Sequence, residues 1–506
     1  MIAMPVRSRM RATLALATLA LPALALPALA LPACSGDPPQ PPLERVAPLT
    51  LYPTPRYFTD APLAVPYAHP ILSFDTSLPP DLPPAARAAW DAGGVDRFVV
   101  LARYEGGLAV VRAFGENDRA VGYATAVAHA LVDHGRLHLA TVVDGSQFAT
   151  RGFVEGHYGS PMLAWQRRCV LDQMVALRAS LYLYGPKGDP FAHERWADPY
   201  PPDAAAAVAD AAAAAQSRGL DFAWAVSPGL LSNAPAPGSS ISYASDEDFA
   251  RLAAKIDAMR ALGLTRFALF LDDIETSLVY DADRAAFATP AAAHVALANR
   301  LDAYVTAAGS PHLLFVGPYY TTQFPGWDAW AAEVGATLRP GIDILWTGPA
   351  VYPAGMSAYD VAAPDALFRR HVVIWNNQPR TPVALDGFSA GLPSATNGFL
   401  SNTIILQQNS GFTFDDMWRV LGPLGDYAWN PAAYDPGRSL STWSEILTTA
   451  NPCGASSDTS KRASNPSSSP GDSSRLAATK SATSGTRALP SRLRLRARQS
   501  PTAAVK

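Results

Sequence analysis

Charge is scarce in this chain: charged residues make up 16% of its 506 and the formal net charge is -3. That balance leaves no broad basic surface for nucleic acid and no case for a strongly charged partner. The hydrophobic fraction of 49% argues against a disordered chain and for a large buried core. Cysteine is also rare. With only Cys34, Cys169 and Cys453, a disulfide framework is excluded by count, and Cys169, inside a helical pattern, reads as a small buried apolar residue. The nine histidines are scattered, with no Cys/His spacing of a metal centre, so neither a metal nor a cofactor is expected. No glycine-rich dinucleotide turn follows any strand-like run.

What is present begins with a secretory pattern. Arg7, Arg9 and Arg11 precede an Ala/Leu/Pro-rich apolar run that ends at Ala33, and residues 1–33 are expected to act as a signal peptide. Cys34 follows directly, in the manner of a bacterial lipobox, although Pro32 stands where a small residue is usual. The expectation is a secreted or cell-envelope lipoprotein, touching a membrane only through a lipid on Cys34. Residues 34–48 form a Pro-rich spacer. Residues 49–147 mix strand-like runs at 97–103, 108–112 and 137–143 with a helical pattern at 120–132, the makings of a small α/β domain. At the far end, 413–450 read as a C-terminal helical segment and 451–506 as a basic, Ser-rich disordered tail.

Between them, over 148–412, a period appears. Apolar runs at 152–155, 181–184, 222–226, 267–271, 313–316, 342–346, 372–375 and 398–400 read as strands buried on both faces. Helical patterns lie at 163–177, 204–217, 246–262, 291–307, 328–338 and 358–369. The helix at 246 is the best marked: Ser245 and Asp248 form a capping box, Phe249, Leu252, Ile256 and Met259 recur at helical spacing, and Gly263 stops it. Eight strands alternating with helices predict a (β/α)8 TIM-type barrel in preference to an open doubly wound sheet.

In such a barrel the residues just past each strand share one rim. The fourth strand runs straight into Asp272 and Asp273, adjacent carboxylates that a fold keeps for a metal, for acid/base work, or as a solvated cap. The other strand ends bring aromatics, amides and one lysine: Gly156 and Tyr158, Lys187, Tyr320, Trp375 and Asn377, and Asn402. Aromatic walls with amide and carboxylate hydrogen bonders suit a neutral polyhydroxyl ligand such as a sugar. A phosphate would need more cations, and a metal more converging carboxylates or histidine.

Six segments, in order, carry a family resemblance. They are Gly-Phe-Val-Glu-Gly-His-Tyr-Gly-Ser-Pro at 152–161, Tyr-Leu-Tyr-Gly-Pro-Lys-Gly-Asp-Pro at 182–190, Phe-Ala-Leu-Phe-Leu-Asp-Asp-Ile at 267–274, Trp-Thr-Gly-Pro at 346–349, Ile-Trp-Asn-Asn at 374–377 and Tyr-Ala-Trp-Asn-Pro at 427–431. Together they resemble glycoside hydrolase family 84, the β-N-acetylglucosaminidases that include O-GlcNAcases and bacterial hyaluronidase-like enzymes. The resemblance implies hydrolysis of terminal β-linked N-acetylglucosamine from a glycan or glycoprotein. The resemblance also implies that the configuration would be retained, because the sugar's own acetamido oxygen would make the attack. Asp272 would accept the acetamido N–H and Asp273 would serve as acid and then base. Tyr320 would hydrogen-bond the acetamido oxygen. Asn377, Asn402 and Lys187 would take sugar hydroxyls, and Gly156 would bring backbone to the ring. Tyr158 and Trp375 would line the acetamido pocket and the sugar face. The chain departs from the family at Pro382, where an aspartate for the far hydroxyls is usual, and at Asn376, Gln378 and Met162; Asp386 or Arg380 would have to compensate.

Overall fold

The computed structural model describes residues 43–46, 49, 51–66, 71–105, 108–133, 135–229, 240–377, 387–403, 406, 414–449 and 453. The expected signal segment, Cys34, most of the spacer, the positions Gln378, Arg380, Pro382 and Asp386, and the tail beyond Cys453 lie outside the described residues. No helix among the described residues is long and apolar enough to cross a membrane.

The N-terminal part is a seven-stranded sheet, ordered Glu44–Arg45, Tyr57–Pro66, Arg136–Ser146, Val95–Glu105, Leu108–Gly115 and Ile71–Phe74, with Val132–Asp133 pairing off to the side. Its central strand Val95–Glu105 is continuously apolar from Phe98 to Ala102 because both faces are covered there. Phe98, Val100 and Ala102 pack under the helix Asp118–Ala130, against Tyr123, Ala124 and Val127. Val99 and Leu101 point the other way, onto Ala86 and Trp90 of the helix Pro84–Asp91. The sequence reading missed that second helix and the strand Tyr57–Pro66, where Pro62 and Pro66 and a break in register hide the alternation.

From Thr150 the chain closes into a barrel of eight parallel strands. They are β1 (Thr150–Glu155), β2 (Leu181–Tyr184), β3 (Asp221–Val226), β4 (Arg266–Phe270), β5 (Leu314–Val316), β6 (Asp343–Trp346), β7 (Val373–Asn376) and β8 (Gly398–Asn402). β8 pairs with β1, Gly398 beside Thr150, which shuts the ring. The helices α1 (Ala164–Ala176), α2 (Pro202–Gln216), α3 (Asp246–Ala261), α4 (Asp281–Ala286), α5 (Pro290–Ala307), α6 (Trp327–Thr337) and α7 (Ala358–Phe368) follow successive strands. α8 (Phe414–Trp429) and α9 (Pro436–Thr449) finish the chain. Two apolar shells result, which is why the strands read as continuous apolar runs. Alternate residues such as Leu183, Ala225, Phe270 and Val373 fill the barrel interior, and their neighbours Tyr182, Trp224, Leu269 and Ile374 face the helices.

Local signals explain the helix ends. Ser245 caps α3 by accepting from the Asp248 backbone N–H at 3.1 Å, and Gly263, at φ 91°, ends that turn. The capping box is only half formed, because the Asp248 carboxylate accepts from the Ser242 backbone N–H at 2.9 Å instead of turning back to Ser245. The face opposite the rim carries buried ion pairs: Arg151 with Asp96 at 2.5 Å, and Arg178 with Asp144. Trp429 of α8 donates to the same Asp144 at 2.9 Å. These contacts join the sheet, the barrel floor and the C-terminal helices.

One expectation is corrected. Cys169 is not a free apolar residue: it forms a disulfide with Cys453, their Cα atoms 5.4 Å apart, and so ties α1 to the segment after α9 across 284 residues of sequence. Three cysteines rule out a framework of bridges but not a single one, and spacing in sequence says nothing about two positions that only the finished barrel brings together. Replacing both, Cys169→Ser with Cys453→Ser, is expected to lower the free energy of unfolding by about 2–4 kcal/mol. Urea denaturation of the two proteins without reductant checks this, and coincident midpoints would contradict it.

Candidate active site at the barrel mouth

Strand geometry explains why two adjacent carboxylates can share a cavity. In β4, Ala268 and Phe270 point into the barrel, so strict alternation sends Asp272 inward and Asp273 away. Asp273 instead adopts φ 53°, a left-handed conformation that aspartate tolerates better than most residues, and the alternation breaks there. Both carboxylates therefore reach the mouth, each with its own partners.

Asp272 is buried and pairs with Lys187, Nζ to Oδ1 at 2.9 Å. Lys187, on the loop after β2, is itself buried, and this pairing is a contact the sequence did not indicate. Burial pushes the Asp272 carboxyl above the usual aspartate range; the Lys187 ammonium opposes that shift, and the neighbouring Asp273 charge adds to it. Asp273 accepts two phenols: Tyr320 at 2.7 Å on Oδ1 and Tyr158 at 3.0 Å on Oδ2. Burial and the aspartates beside them push both phenols well above the ordinary tyrosine range, so they act as donors.

Across the mouth a second chain of hydrogen bonds links the remaining residues. Trp375 Nε1 donates to Asn377 Oδ1 at 2.7 Å, Asn402 Nδ2 donates to the same oxygen at 2.9 Å, and Asn402 Oδ1 accepts from the Gly156 backbone N–H at 3.1 Å. Gly156 has no room for a side chain: a Cβ there would lie 2.7 Å from the Trp375 ring. The Trp375 ring lies 5.2 Å from that of Phe270, and Lys187 lies 5.8 Å from the Phe270 ring on the same floor. All nine candidate residues thus stand around one opening. Asp272, Lys187, Trp375, Asn377 and Asn402 are buried, while Tyr158 keeps 39% of its surface exposed. Among the described residues no cluster of three or more His, Cys, Asp or Glu side chains is arranged to hold a metal.

Other residues support the mouth and escaped the sequence reading. Glu155, fully buried at the end of β1, accepts from Arg167 at 2.8 and 2.9 Å, from the Tyr182 hydroxyl at 2.5 Å and from the Met162 backbone N–H at 2.7 Å. It pins both ends of the loop that carries Gly156 and Tyr158. Asp189 accepts from Tyr184 and Tyr200, each at 2.7 Å. His193 Nδ1 lies 3.3 Å from the Lys187 carbonyl oxygen, and burial, with Lys187 adjacent, lowers its pKa to about 4, so it is neutral near pH 7. Neutral His193 adds no second cation beside Lys187. Only Glu155 carried a signal, a carboxylate as the last residue of an otherwise apolar run. Asn376 is fully buried and belongs to the outward-facing positions of β7, not to the opening.

A closed parallel barrel with hydrogen-bonded carboxylates, phenols and amides at its C-terminal rim belongs to the (β/α)8 class of proteins that keep their chemistry at that face. The family is narrower. The model of the β-N-acetylglucosaminidase family matches residues 151–459, more than half of the chain. The chain belongs to that family, which is glycoside hydrolase family 84. It is 30% identical over 246 residues to the protein O-GlcNAcase of Mus musculus, covering 47% of this chain and 25% of that protein. With the protein O-GlcNAcase of Rattus norvegicus it shares 29% over 231 residues, 45% of this chain and 24% of that one. The chain thus spans about a quarter of the length of these curated relatives. Two solved structures share the fold. CpGH84B superposes with a TM-score of 0.62 at 20% identity, over 80% of this chain and 75% of that one. A variant of the O-GlcNAc hydrolase of Thermobaculum terrenum gives 0.52 at 23%, over 60% and 63%.

The Lys187–Asp272 pair yields a prediction. Lys187→Met removes the cation that opposes the rise of the Asp272 carboxyl, so its pKa rises further above that of wild type. A carboxyl 13C NMR titration would show this as a midpoint moved to higher pH; a midpoint moved to lower pH would refute it.

Proposed function

We propose that this protein hydrolyses terminal β-linked N-acetylglucosamine from a glycoconjugate, by a retaining mechanism in which the substrate's acetamido group is the nucleophile. The observation that carries the reading is the different environment of the two adjacent aspartates, one paired with a buried ammonium and the other held by two phenols. Neighbouring carboxylates kept in unlike environments take unlike roles. They stand side by side, not on opposite sides of an opening, so neither suits the part of a protein nucleophile facing an acid across the bond.

In this scheme the acetamido oxygen attacks the anomeric carbon as the bond to the leaving oxygen breaks. Asp272, its charge held by Lys187, accepts the acetamido N–H and stabilises the positive charge that grows on the forming oxazoline. Asp273 gives its proton to the leaving oxygen, then takes one from the water that opens the oxazoline. Tyr320 reaches from Asp273 to the acetamido oxygen and orients it. Trp375 and Tyr158 wall the acetamido pocket and the sugar face. Asn377, Asn402, Lys187 and the Gly156 backbone bind hydroxyls and the ring edge. No cofactor is needed, because every proton moved has a side chain of this chain to carry it.

Asp273→Ala is expected to reduce kcat/KM on an aryl β-N-acetylglucosaminide by about 10²–10⁴-fold, with the first-formed product retaining the β configuration by 1H NMR. Inversion, or equal cleavage of the glucoside that lacks the amide, would refute the mechanism.

We also place the protein outside the cytoplasm, exported by residues 1–33 and anchored through Cys34. The Cys169–Cys453 bridge fits an oxidising compartment. Mass analysis of the cell-envelope fraction should find a mature chain that begins at a lipid-modified Cys34. A cytoplasmic chain that still begins at Met1 would overturn the placement.

A further inference from the structure

A buried histidine at the mouth has no part in the mechanism, yet it stands where three strand ends meet. His157 lies between Gly156 and Tyr158, the residue whose hydroxyl donates to Asp273. Its ring reaches the end of β8, with Nδ1 2.8 Å from the Thr403 hydroxyl oxygen. Its other nitrogen, Nε2, lies 3.3 Å from the Ser160 carbonyl oxygen, within its own loop. Its backbone carbonyl accepts from the Lys187 N–H at 3.2 Å, on the loop after β2. The main chain beside it is stitched to β8 as well: the Thr403 N–H donates to Val154 at 2.9 Å and the Gly156 N–H to Asn402.

These partners fix the state of the ring. A carbonyl oxygen only accepts, so Nε2 carries the proton and donates to Ser160. In the neutral ring Nδ1 is then bare, and the buried Thr403 hydroxyl donates to it. One tautomer therefore satisfies both nitrogens. Burial lowers the His157 pKa below the ordinary histidine range; of the two charged groups that face it, Glu155 opposes that shift and Arg167 adds to it. The ring is thus neutral near pH 7. An imidazolium would turn Nδ1 into a donor and remove the acceptor that Thr403 uses.

We propose that His157 is a positioning residue for the general acid: held by Thr403 and Ser160, it sets the direction of Tyr158 and, through the Tyr158 hydroxyl, of the Asp273 carboxylate. The inference rests on the hydrolase reading above and adds a residue to it. Tyr158 keeps 39% of its surface exposed, so packing alone does not aim its ring. Gly156 and Gly159 flank the His157–Tyr158 pair, and Gly159 adopts φ 108°, so the segment has little stiffness of its own. Between the anchors at Glu155 and Met162, the His157 ring closes the loop on itself and onto β8. An acid turned off its line costs most where the leaving oxygen most needs a proton.

The test compares wild type, His157→Phe, Thr403→Val and the double variant. It reads kcat/KM on methyl β-N-acetylglucosaminide, whose alkoxide leaves only with a proton, and on the dinitrophenyl glycoside, whose phenolate leaves without one. His157→Phe keeps a ring but neither bond, and should lower kcat/KM about tenfold on the methyl glycoside and less than about twofold on the dinitrophenyl glycoside. Thr403→Val keeps the shape of the other partner without its hydroxyl, and should favour the dinitrophenyl glycoside in the same sense. The double variant should lose no more than His157→Phe alone, because both changes remove one interaction. In wild type, 15N NMR of the imidazole should show the neutral ring with its proton on Nε2 at pH 7. Equal losses on the two substrates, no loss, additive losses in the double variant, or a ring protonated on Nδ1 would overturn the inference and leave the hydrolase reading in place. Wild type that cleaves neither glycoside would remove both.

Discussion

The mouth of this barrel depends on one buried pair, Lys187 with Asp272. Taking either charge out of water alone is costly, and the two are brought together only because β2 and β4 end at the same rim. Burial raises the Asp272 carboxyl and Lys187 opposes the rise. The pair leaves a charge that is desolvated yet positioned, which is the state that can meet a developing positive charge without first shedding water. Asp273 is held by other means, a left-handed backbone and two phenols, so that neighbours in sequence face one cavity with unlike surroundings.

The two ends of the barrel divide the work. At the closed end, Arg151 with Asp96 and Arg178 with Asp144 fasten the small sheet and the C-terminal helices to the barrel floor. At the open end, charged groups serve the cavity, and the loops carrying them need rigidity of their own. Glu155 supplies it for one loop by accepting from Arg167, Tyr182 and the Met162 backbone. A chain of hydrogen bonds through Asn377 and Asn402 does the same for the backbone at Gly156. The first support is local, within β1, α1 and β2, while the second joins Gly156 to Asn402 across nearly the whole barrel, so that part of the site borrows its precision from closure of the barrel.

Much of the fold was legible before any coordinates. The strand β4, read at 267–271 and observed at Arg266–Phe270, is a run buried on both faces, and such runs announce themselves by composition. The helix α3 was legible for the opposite reason, a 3.6-residue period bounded by Ser245 and Gly263. What escaped were elements whose signal is broken, such as the strand Tyr57–Pro66 with its prolines. At the site, the nine candidates were legible as residues at strand ends. Their partners were not: that Lys187 would pair with Asp272, or that Asp273 would draw in both Tyr158 and Tyr320, depends on directions no local pattern encodes.

The sequence by itself determined the alternation of strand and helix, the order of the rim residues and the adjacency of Asp272 and Asp273, because these follow from local periodicity and from position along the chain. The tertiary structure alone decided which charges are buried together, that Cys169 meets Cys453, and that Asp273 is held by two phenols from different strand ends. The reason is physical: burial and pairing arise from contacts between residues tens to hundreds of positions apart, and those contacts exist only once the eighth strand has closed on the first.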